Sequence, residues 1–191
     1  MYTYICMEIF YTASYYGKSK YQKYYDLVLK ALENAGADII SPEKGNYLEV
    51  LTKKELTSFK DPKIRHYEAI RKGILYADAV VIEISNEDFQ LGHEATLAVQ
   101  NKKHVLCLSV HEDFSVKIKN RYFHGAKYNE LNIEEVIEDF LMKVRGETFK
   151  NRFNLFLSNR QLAYLHEISE RRGVNKSEYL RLLLDKDMES K

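Results

Sequence analysis

Short apolar stretches alternate with segments of helical periodicity through the first three quarters of the chain. Strands are predicted where β-branched and aromatic residues gather, over 2–12, 37–41, 79–84 (AVVIEI) and 104–110 (HVLCLSV). Helices are predicted over 19–36, from Pro62 to about Tyr76, from Leu91 or Gly92 to Asn101, and over 132–144. Residues 43–60 are predicted to form a long loop or a broken helix. Strands alternating with helices predict an α/β fold, with a parallel sheet covered on both faces.

The pattern changes at Gly146. Residues 152–157 alternate polar with apolar side chains, and two helices are predicted after them, over 159–172 and 176–187. A strand and two helices in about 46 residues cannot bury their apolar faces alone. This segment must therefore pack on the first domain or require a partner chain. We predict two domains, 1–145 and 146–191.

The charge of the whole chain gives no case for nucleic-acid binding, because 29 basic and 28 acidic residues leave a net charge of +1. The two predicted domains differ, however. Residues before Gly146 hold 20 basic and 21 acidic side chains, and the rest hold nine and seven, so the net charges are −1 and +2. The total therefore does not exclude DNA binding by the second domain.

Other features of the sequence point to a cytoplasmic protein that does not enter a membrane. The apolar runs are far shorter than the roughly 20 residues that cross a bilayer, and the first residues lack the pattern of a signal peptide. Cys6 and Cys107 lie singly in strand-like runs, which predicts reduced, buried thiols. His93 lacks a second histidine four residues later, where Leu97 stands. We expect no metal and no cofactor.

The most informative motif follows the predicted strand 79–84. Parallel sheets bind ligands beyond the carboxyl ends of their strands, which here means residues 12–18, 85–94 and 110–115. We expect Gly92 to allow a tight turn and Glu94 to lie in the first helical turn, where amides and the helix dipole favour an ionised carboxylate. Such a carboxylate is suited to attack an electrophilic sugar carbon. The alternative is an ordinary acidic residue at a helix start.

Three stretches carry a resemblance to a known family: 10–14 (FYTAS), 76–94 (YADAVVIEIS, then Asp88 and GHE) and 103–108 (KHVLCL). Together they resemble the superfamily of nucleoside 2-deoxyribosyltransferases and 2-deoxynucleoside 5′-phosphate N-hydrolases, over roughly residues 2–125. The resemblance implies a flavodoxin- or Rossmann-like fold. It also implies an enzyme in which a glutamate attacks the anomeric carbon of a nucleoside or nucleotide, the base leaves, and water or a second base takes the sugar.

By this resemblance Glu94 is the nucleophile, Asp88 lies near the base and Ser14 lines the same pocket. Ser115 matches a serine that the family contributes across a subunit interface. Gly92 belongs to the same motif as Glu94. Tyr11 and Tyr16 complete the predicted substrate contacts, since rings with polar tips crowd the N-terminal third; filling of the core or of an interface is the alternative.

The sequence also departs from the family pattern. Ile70 stands where the family carries an acidic residue, and Glu68 is about 200° away around the helix. In the nucleotide hydrolases an arginine that binds the 5′-phosphate stands at the position of Tyr16, and a serine stands at the position of Asp88. These departures predict a preference for an uncharged nucleoside. They also predict either slow departure of the base or a domain that only binds its ligand.

The second domain carries its own resemblance. Residues 152–158 (RFNLFLS) and 173–184 (GVNKSEYLRLLL) resemble a ribbon-helix-helix DNA-binding domain, which implies an obligate dimer with a two-stranded ribbon in the major groove. Arg152, Asn154, Asn175 and Lys176 are the predicted contacts to double-stranded DNA. Phe156 would also face the groove, yet an aromatic side chain cannot read base edges by hydrogen bonds. A domain that only dimerises is the alternative.

Three functions remain open from the sequence. The first is an enzyme that cleaves N-glycosidic bonds, assembled as a homodimer or a higher homo-oligomer. The second is a transcription regulator that binds a nucleoside or nucleotide without turnover and binds an operator through residues 146–191. The third is a structural dimer with neither activity.

Overall fold

The computed structural model describes residues 7–148, 155–172 and 176–189. The chain divides into two compact units, and the division falls after Phe149. The last helix of the larger unit passes through Gly146, where the sequence predicts the domain boundary, and ends at Thr148.

The larger unit is an α/β domain in which strands and helices alternate. Its strands are β1 (Glu8–Ala13), β2 (Asp38–Ile40), β3 (Ala79–Glu83), β4 (His104–Ser109) and β5 (Phe123–Lys127). Its helices are α1 (Lys18–Asn34), α2 (Lys53–Ser58), α3 (Pro62–Tyr76), α4 (Phe89–Gln100) and α5 (Ile133–Thr148). The predicted parallel α/β fold is confirmed.

All neighbouring strands of the sheet pair in parallel, in the order β2-β1-β3-β4-β5. This is the doubly wound order of flavodoxin-like proteins. The order reverses between β1 and β3, since the chain moves outward to β2 on one side and to β4 on the other. The loops diverge at the carboxyl ends of these two strands, which is where doubly wound folds have their ligand crevice.

Two hydrophobic clusters cover the two faces of the sheet. One contains Tyr11 and Val81 with apolar residues of α1 and α5, and the other contains Phe10 and Ile82 with those of α3 and α4. Successive residues of a strand point to opposite faces, so each central strand contributes to both clusters. Cys107 is buried in the second cluster, as predicted, and Cys6 lies outside the described residues.

Several predicted elements need correction. Strand β5 was not expected, because its sequence, FHGAK, contains few of the side chains that mark a strand. For residues 43–60 the structure agrees with a broken helix and not with a long loop: a 3-10 turn covers Tyr47–Val50, and the short helix α2 follows after a capping box between Thr52 and Glu55. Of the predicted strand 2–12, residues 2–6 lie outside the described part of the chain.

The smaller unit contains α6 (Asn159–Arg172) and α7 (Lys176–Glu189). The structure agrees with both predicted helices, although α7 continues two residues further. Leu165 and Tyr179 are buried, but many apolar side chains are exposed, namely Leu155, Phe156, Leu162, Tyr164, Leu182, Leu183, Leu184 and Met188. Residues 155–158 are not in a strand in the single chain.

Of the helices in the described ranges, none is both long and apolar enough to cross a membrane.

Candidate active site

The first loops beyond β1 and β3 meet at the point where the strand order reverses. Ser14 follows β1 directly, and its hydroxyl donates a hydrogen bond of 2.8 Å to Oδ2 of Asp88. Asn86 donates from its side-chain amide to the same hydroxyl oxygen at 3.0 Å. Because the amide can only donate, the hydroxyl proton of Ser14 is directed to Asp88. Two of the residues predicted to contact substrate are thus brought together.

Asp88 is also the N-cap of helix α4. Its Oδ1 accepts the backbone N–H of Gln90 at 2.8 Å, and the helix begins at Phe89. The predicted start at Leu91 or Gly92 is therefore two or three residues too late. Gly92 lies inside the helix and not in a tight turn, and a Cβ added there would meet no other atom within 4 Å.

Glu94 consequently lies in the second turn of α4, beyond the reach of the first-turn amides. Its side chain is 2% exposed. Oε1 accepts a hydrogen bond of 2.8 Å from the side-chain amide of Gln90, while Oε2 has no hydrogen-bond partner among the described residues. The Thr12 hydroxyl lies near this carboxylate without completing a hydrogen bond to Oε2.

Burial raises the pKa of Glu94 to about 7; the Gln90 amide and the Thr12 hydroxyl act in the opposite direction, and the charge of Asp88 raises it further. The expected placement of Glu94 in the first helical turn is therefore wrong, and its carboxylate is buried without the amides that were expected to favour ionisation. Near neutral pH both protonation states of Glu94 are populated. A desolvated carboxylate with one unbonded oxygen can act as a nucleophile when it is ionised.

The other predicted substrate contacts lie in three different environments. Tyr11 is fully buried, and its hydroxyl donates to the backbone carbonyl of Tyr25 at 3.0 Å. Tyr16 lies two residues after Ser14 and is 83% exposed. Ser115 lies in a 3-10 turn beside the edge strand β5, which β3 and β4 separate from β1.

Helix α3 places no carboxylate at the position where the family pattern has one. Ile70 is 3% exposed and packs in the hydrophobic cluster that also contains Leu91 and Ala95 of α4. Glu68 forms an ion pair with Arg71, at 2.7 Å between Oε2 and the guanidinium. Ile70, which replaces the acidic residue of the family pattern, is therefore part of the apolar contact between α3 and α4.

Sequence reasoning missed a second buried carboxylate, that of Glu83 at the carboxyl end of β3. Its Oε1 accepts hydrogen bonds from the hydroxyl of Ser85 and, at 2.9 Å, from the hydroxyl of Tyr128. Burial raises the pKa of Glu83 as well. An acidic residue inside the otherwise apolar run 79–84 was the available signal.

Of the predicted DNA contacts, Arg152, Asn154 and Asn175 lie outside the described residues. Lys176 is the first residue of α7 and is exposed. In the described ranges, no group of three or more histidine, cysteine, aspartate or glutamate side chains could hold a metal ion.

The strand order defines an α/β protein of the doubly wound class, and the candidate site residues lie at the switch point of the sheet. The chain matches no family model and no curated protein. Among solved structures it is similar to a 2-deoxyribosyltransferase from Bacillus psychrosaccharolyticus, with 19% identity, a TM-score of 0.48, and coverage of 66% of this chain and 90% of that one. It is also similar to a CMP N-glycosidase from Clostridium botulinum, with 14% identity, a TM-score of 0.45, and coverage of 70% and 98%.

Proposed function

We propose that the larger unit cleaves the N-glycosidic bond of nucleosides, with Glu94 as the nucleophile. The observation that carries this proposal is the state of that carboxylate at the switch point: it is buried, held on one oxygen by Gln90 and unbonded on the other. The neighbours that act on this carboxylate are Gln90, Thr12 and Asp88, and none of them carries a positive charge that would offset its burial.

In the proposed reaction the ionised Oε2 of Glu94 forms a bond to C1′ of the sugar as the bond from C1′ to the base nitrogen breaks. The base leaves with the bonding electron pair and takes a proton from solvent. Water or a second base then attacks C1′, the ester to Glu94 breaks, and the carboxylate is regenerated. Gln90 fixes the side chain through Oε1, which leaves Oε2 as the reacting atom.

The charges at the crevice favour an uncharged substrate. Asp88 and Glu94 are both carboxylic acids, and Tyr16, which follows Ser14 by two residues, carries no positive charge. A 5′-phosphate brought to this crevice would be repelled by ionised carboxylates. We therefore expect nucleosides to be better substrates than their 5′-monophosphates.

The test is incubation with deoxynucleosides and with their 5′-monophosphates, followed by chromatography of the released base. We expect base release from nucleosides, and a loss of about a thousandfold in Glu94→Gln, which keeps the shape of the side chain. Glu87→Gln is the matched control, because Glu87 is an exposed acid of the same loop. Failure of all substrates to release base, or equal rates in the two variants, would refute the proposal.

A second function is favoured by the place of Ile70. If no acid on α3 assists the departing base, a domain with this site can bind a nucleoside and leave it intact. The protein would then be a ligand-sensing regulator, and residues 146–191 would bind an operator. This function requires two results. The protein must bind a nucleoside without releasing its base, and its affinity for duplex DNA must change when the nucleoside is added.

For the smaller unit we propose dimerisation with a second copy of this chain. The eight exposed apolar side chains that surround Leu165 and Tyr179 in the sequence support this, since a unit so small needs a partner to cover them. Sedimentation should give the mass of a dimer or a larger assembly. Leu183→Glu should reduce that mass, whereas Glu167→Gln on the exposed side of α6 should leave it unchanged.

Binding of duplex DNA by this dimer is a separate proposal, and it rests on the resemblance of residues 152–158 and 173–184 to ribbon-helix-helix domains. We expect affinity that falls steeply with salt and weakens in Arg152→Ala. Arg160→Ala removes the same charge from α6 and serves as the control. Negligible binding by the unaltered protein at low salt would leave dimerisation alone.

A further inference from the structure

A pocket of about 500 Å³ lies beside the edge strand β5, and strand β4 separates β5 from the two strands, β1 and β3, that lead to Glu94. Four segments line it: the 3-10 turn that contains Ser115, the connection from that turn to β5, β5 itself and helix α5. The proposed glycosidase reaction uses none of these groups apart from the serine that resemblance assigns to a neighbouring subunit.

Three cations line the pocket, and each is held by a contact within the protein. The Lys119 ammonium donates to the backbone carbonyl of Ser115 at 3.1 Å, and the Lys143 ammonium lies 3.3 Å from Nδ1 of His124. Arg121 is held by an ion pair of 2.9 Å with Glu147. The guanidinium also lies over the ring of Tyr122, 5.1 Å from its centroid.

The acidic groups nearby do not balance these cations. Glu147 accepts from Arg121 and also lies 3.4 Å from Nε2 of His104. Asp113 caps the 3-10 turn by accepting the backbone N–H of Ser115 at 2.8 Å, and it does not line the pocket. The positive charges of Lys119, Arg121 and Lys143 thus outnumber the negative charges of Glu147 and Asp113.

One neutral donor adds to the cations. It is not His124, because its Nδ1 accepts from the Lys143 ammonium and its Nε2 forms a hydrogen bond of 2.8 Å with Nδ1 of His104. The Oδ1 of Asn120 accepts the backbone N–H of Tyr122 at 2.9 Å, so the nitrogen end of this amide is a donor for another group. Cations and neutral donors around one opening are the chemistry that recognises phosphate.

We propose that this pocket binds a small phosphomonoester, whose phosphate lies among Lys119, Arg121 and Lys143. The phosphate dianion matches the excess of positive charge, and the pocket is larger than a free phosphate needs, which leaves room for the organic part of the ester. This inference does not depend on the proposed glycosidase activity.

The test is calorimetric titration of the full chain, at constant ionic strength, with inorganic phosphate, glycerol 3-phosphate and glycerol. We expect saturable binding of glycerol 3-phosphate, weaker binding of phosphate, and no binding of glycerol. The double substitution Lys119→Ala and Lys143→Ala should weaken the ester's Kd by roughly tenfold or more. These two lysines are exposed, so the variant should fold.

The matched control is Lys54→Ala with Lys127→Ala, which removes the same charge at exposed positions outside the pocket and should leave Kd within about twofold. Equal weakening in both double variants would mean unspecific attraction and would overturn the proposal. Absence of binding would also overturn it, and binding of inorganic phosphate alone would overturn the assignment of an ester.

Discussion

Two carboxylates are buried on opposite faces of the same sheet, and they differ in how the protein holds them. Glu83 is fully enclosed and accepts hydrogen bonds from Ser85 and Tyr128. Glu94 is enclosed almost as fully, yet its Oε1 accepts from the Gln90 amide with the Thr12 hydroxyl nearby, and Oε2 has no hydrogen-bond partner among the described residues. Burial raises the pKa of both.

We propose that this difference separates a structural acid, Glu83, from a functional one, Glu94. The donors around Glu83 would be left buried without an acceptor if the carboxylate were removed, so this group stabilises the fold. The carboxylate of Glu94 is costly to bury when ionised and is compensated by little around it. A buried group with a perturbed pKa is a candidate for chemistry, and this is why we propose the reaction at Glu94.

The largest effect on stability should come from removing Glu83. Glu83→Ala leaves the hydroxyls of Ser85 and Tyr128 without their acceptor and opens a cavity, which should lower the free energy of unfolding by about 4 kcal/mol. Glu94→Ala should cost far less at pH 7. Urea unfolding of both variants measures this difference. Equal losses in the free energy of unfolding would mean that the two acids contribute equally to stability.

The second prediction concerns pH and follows from the raised pKa of Glu94. A glutamate with a pKa near 4.5 in the unfolded chain and about 7 in the folded one binds more protons when folded, so stability falls as pH rises between these values. The difference corresponds to about 3 kcal/mol, fully lost above pH 7. The native protein should therefore lose about that much more stability than Glu94→Gln between about pH 4 and 8. Parallel pH profiles for the two proteins would contradict a buried, titrating Glu94.

Most of the sheet could be predicted from the sequence, because its central strands are continuous apolar runs. Strands β3 and β4 occupy such runs, and their period and composition leave few alternatives. Strand β5 could not be predicted, since FHGAK is stabilised by pairing with β4 and not by its own composition.

The candidate site was predicted only in part, for a related reason. The motif identified Ser14, Asp88 and Glu94, but not the start of α4, because any of several polar residues could have capped it. The network at Glu83 escaped prediction altogether. Its partner Tyr128 is 45 residues away, and only the folded sheet brings the two together.

A third prediction depends on the proposed function and concerns the pH dependence of base release, in which Glu94 and Glu83 should differ. If ionised Glu94 is the nucleophile, kcat/KM for base release should fall about tenfold for each pH unit below 7 and reach a plateau above it. Steady-state rates between about pH 5 and 9 measure this profile. The profile of Glu83→Gln should show the same midpoint. A midpoint near 4.5 would mean that the reacting carboxylate is not the buried one.

The smallest effect is expected from a comparison of two buried tyrosines, Tyr128, whose hydroxyl forms a hydrogen bond, and Tyr25, whose hydroxyl forms none among the described residues. The hydroxyl of Tyr128 donates to Glu83, so Tyr128→Phe should lower the free energy of unfolding by about 1.5 kcal/mol. The hydroxyl of Tyr25 is buried without a hydrogen-bond partner among the described residues. Tyr25→Phe should therefore leave stability unchanged or raise it slightly, since it removes a desolvated polar group that gains nothing in the fold. Urea unfolding of the two phenylalanine variants compares them directly. A larger loss for Tyr25→Phe would mean that the hydroxyl of Tyr25, and not the bond from Tyr128 to Glu83, stabilises the fold.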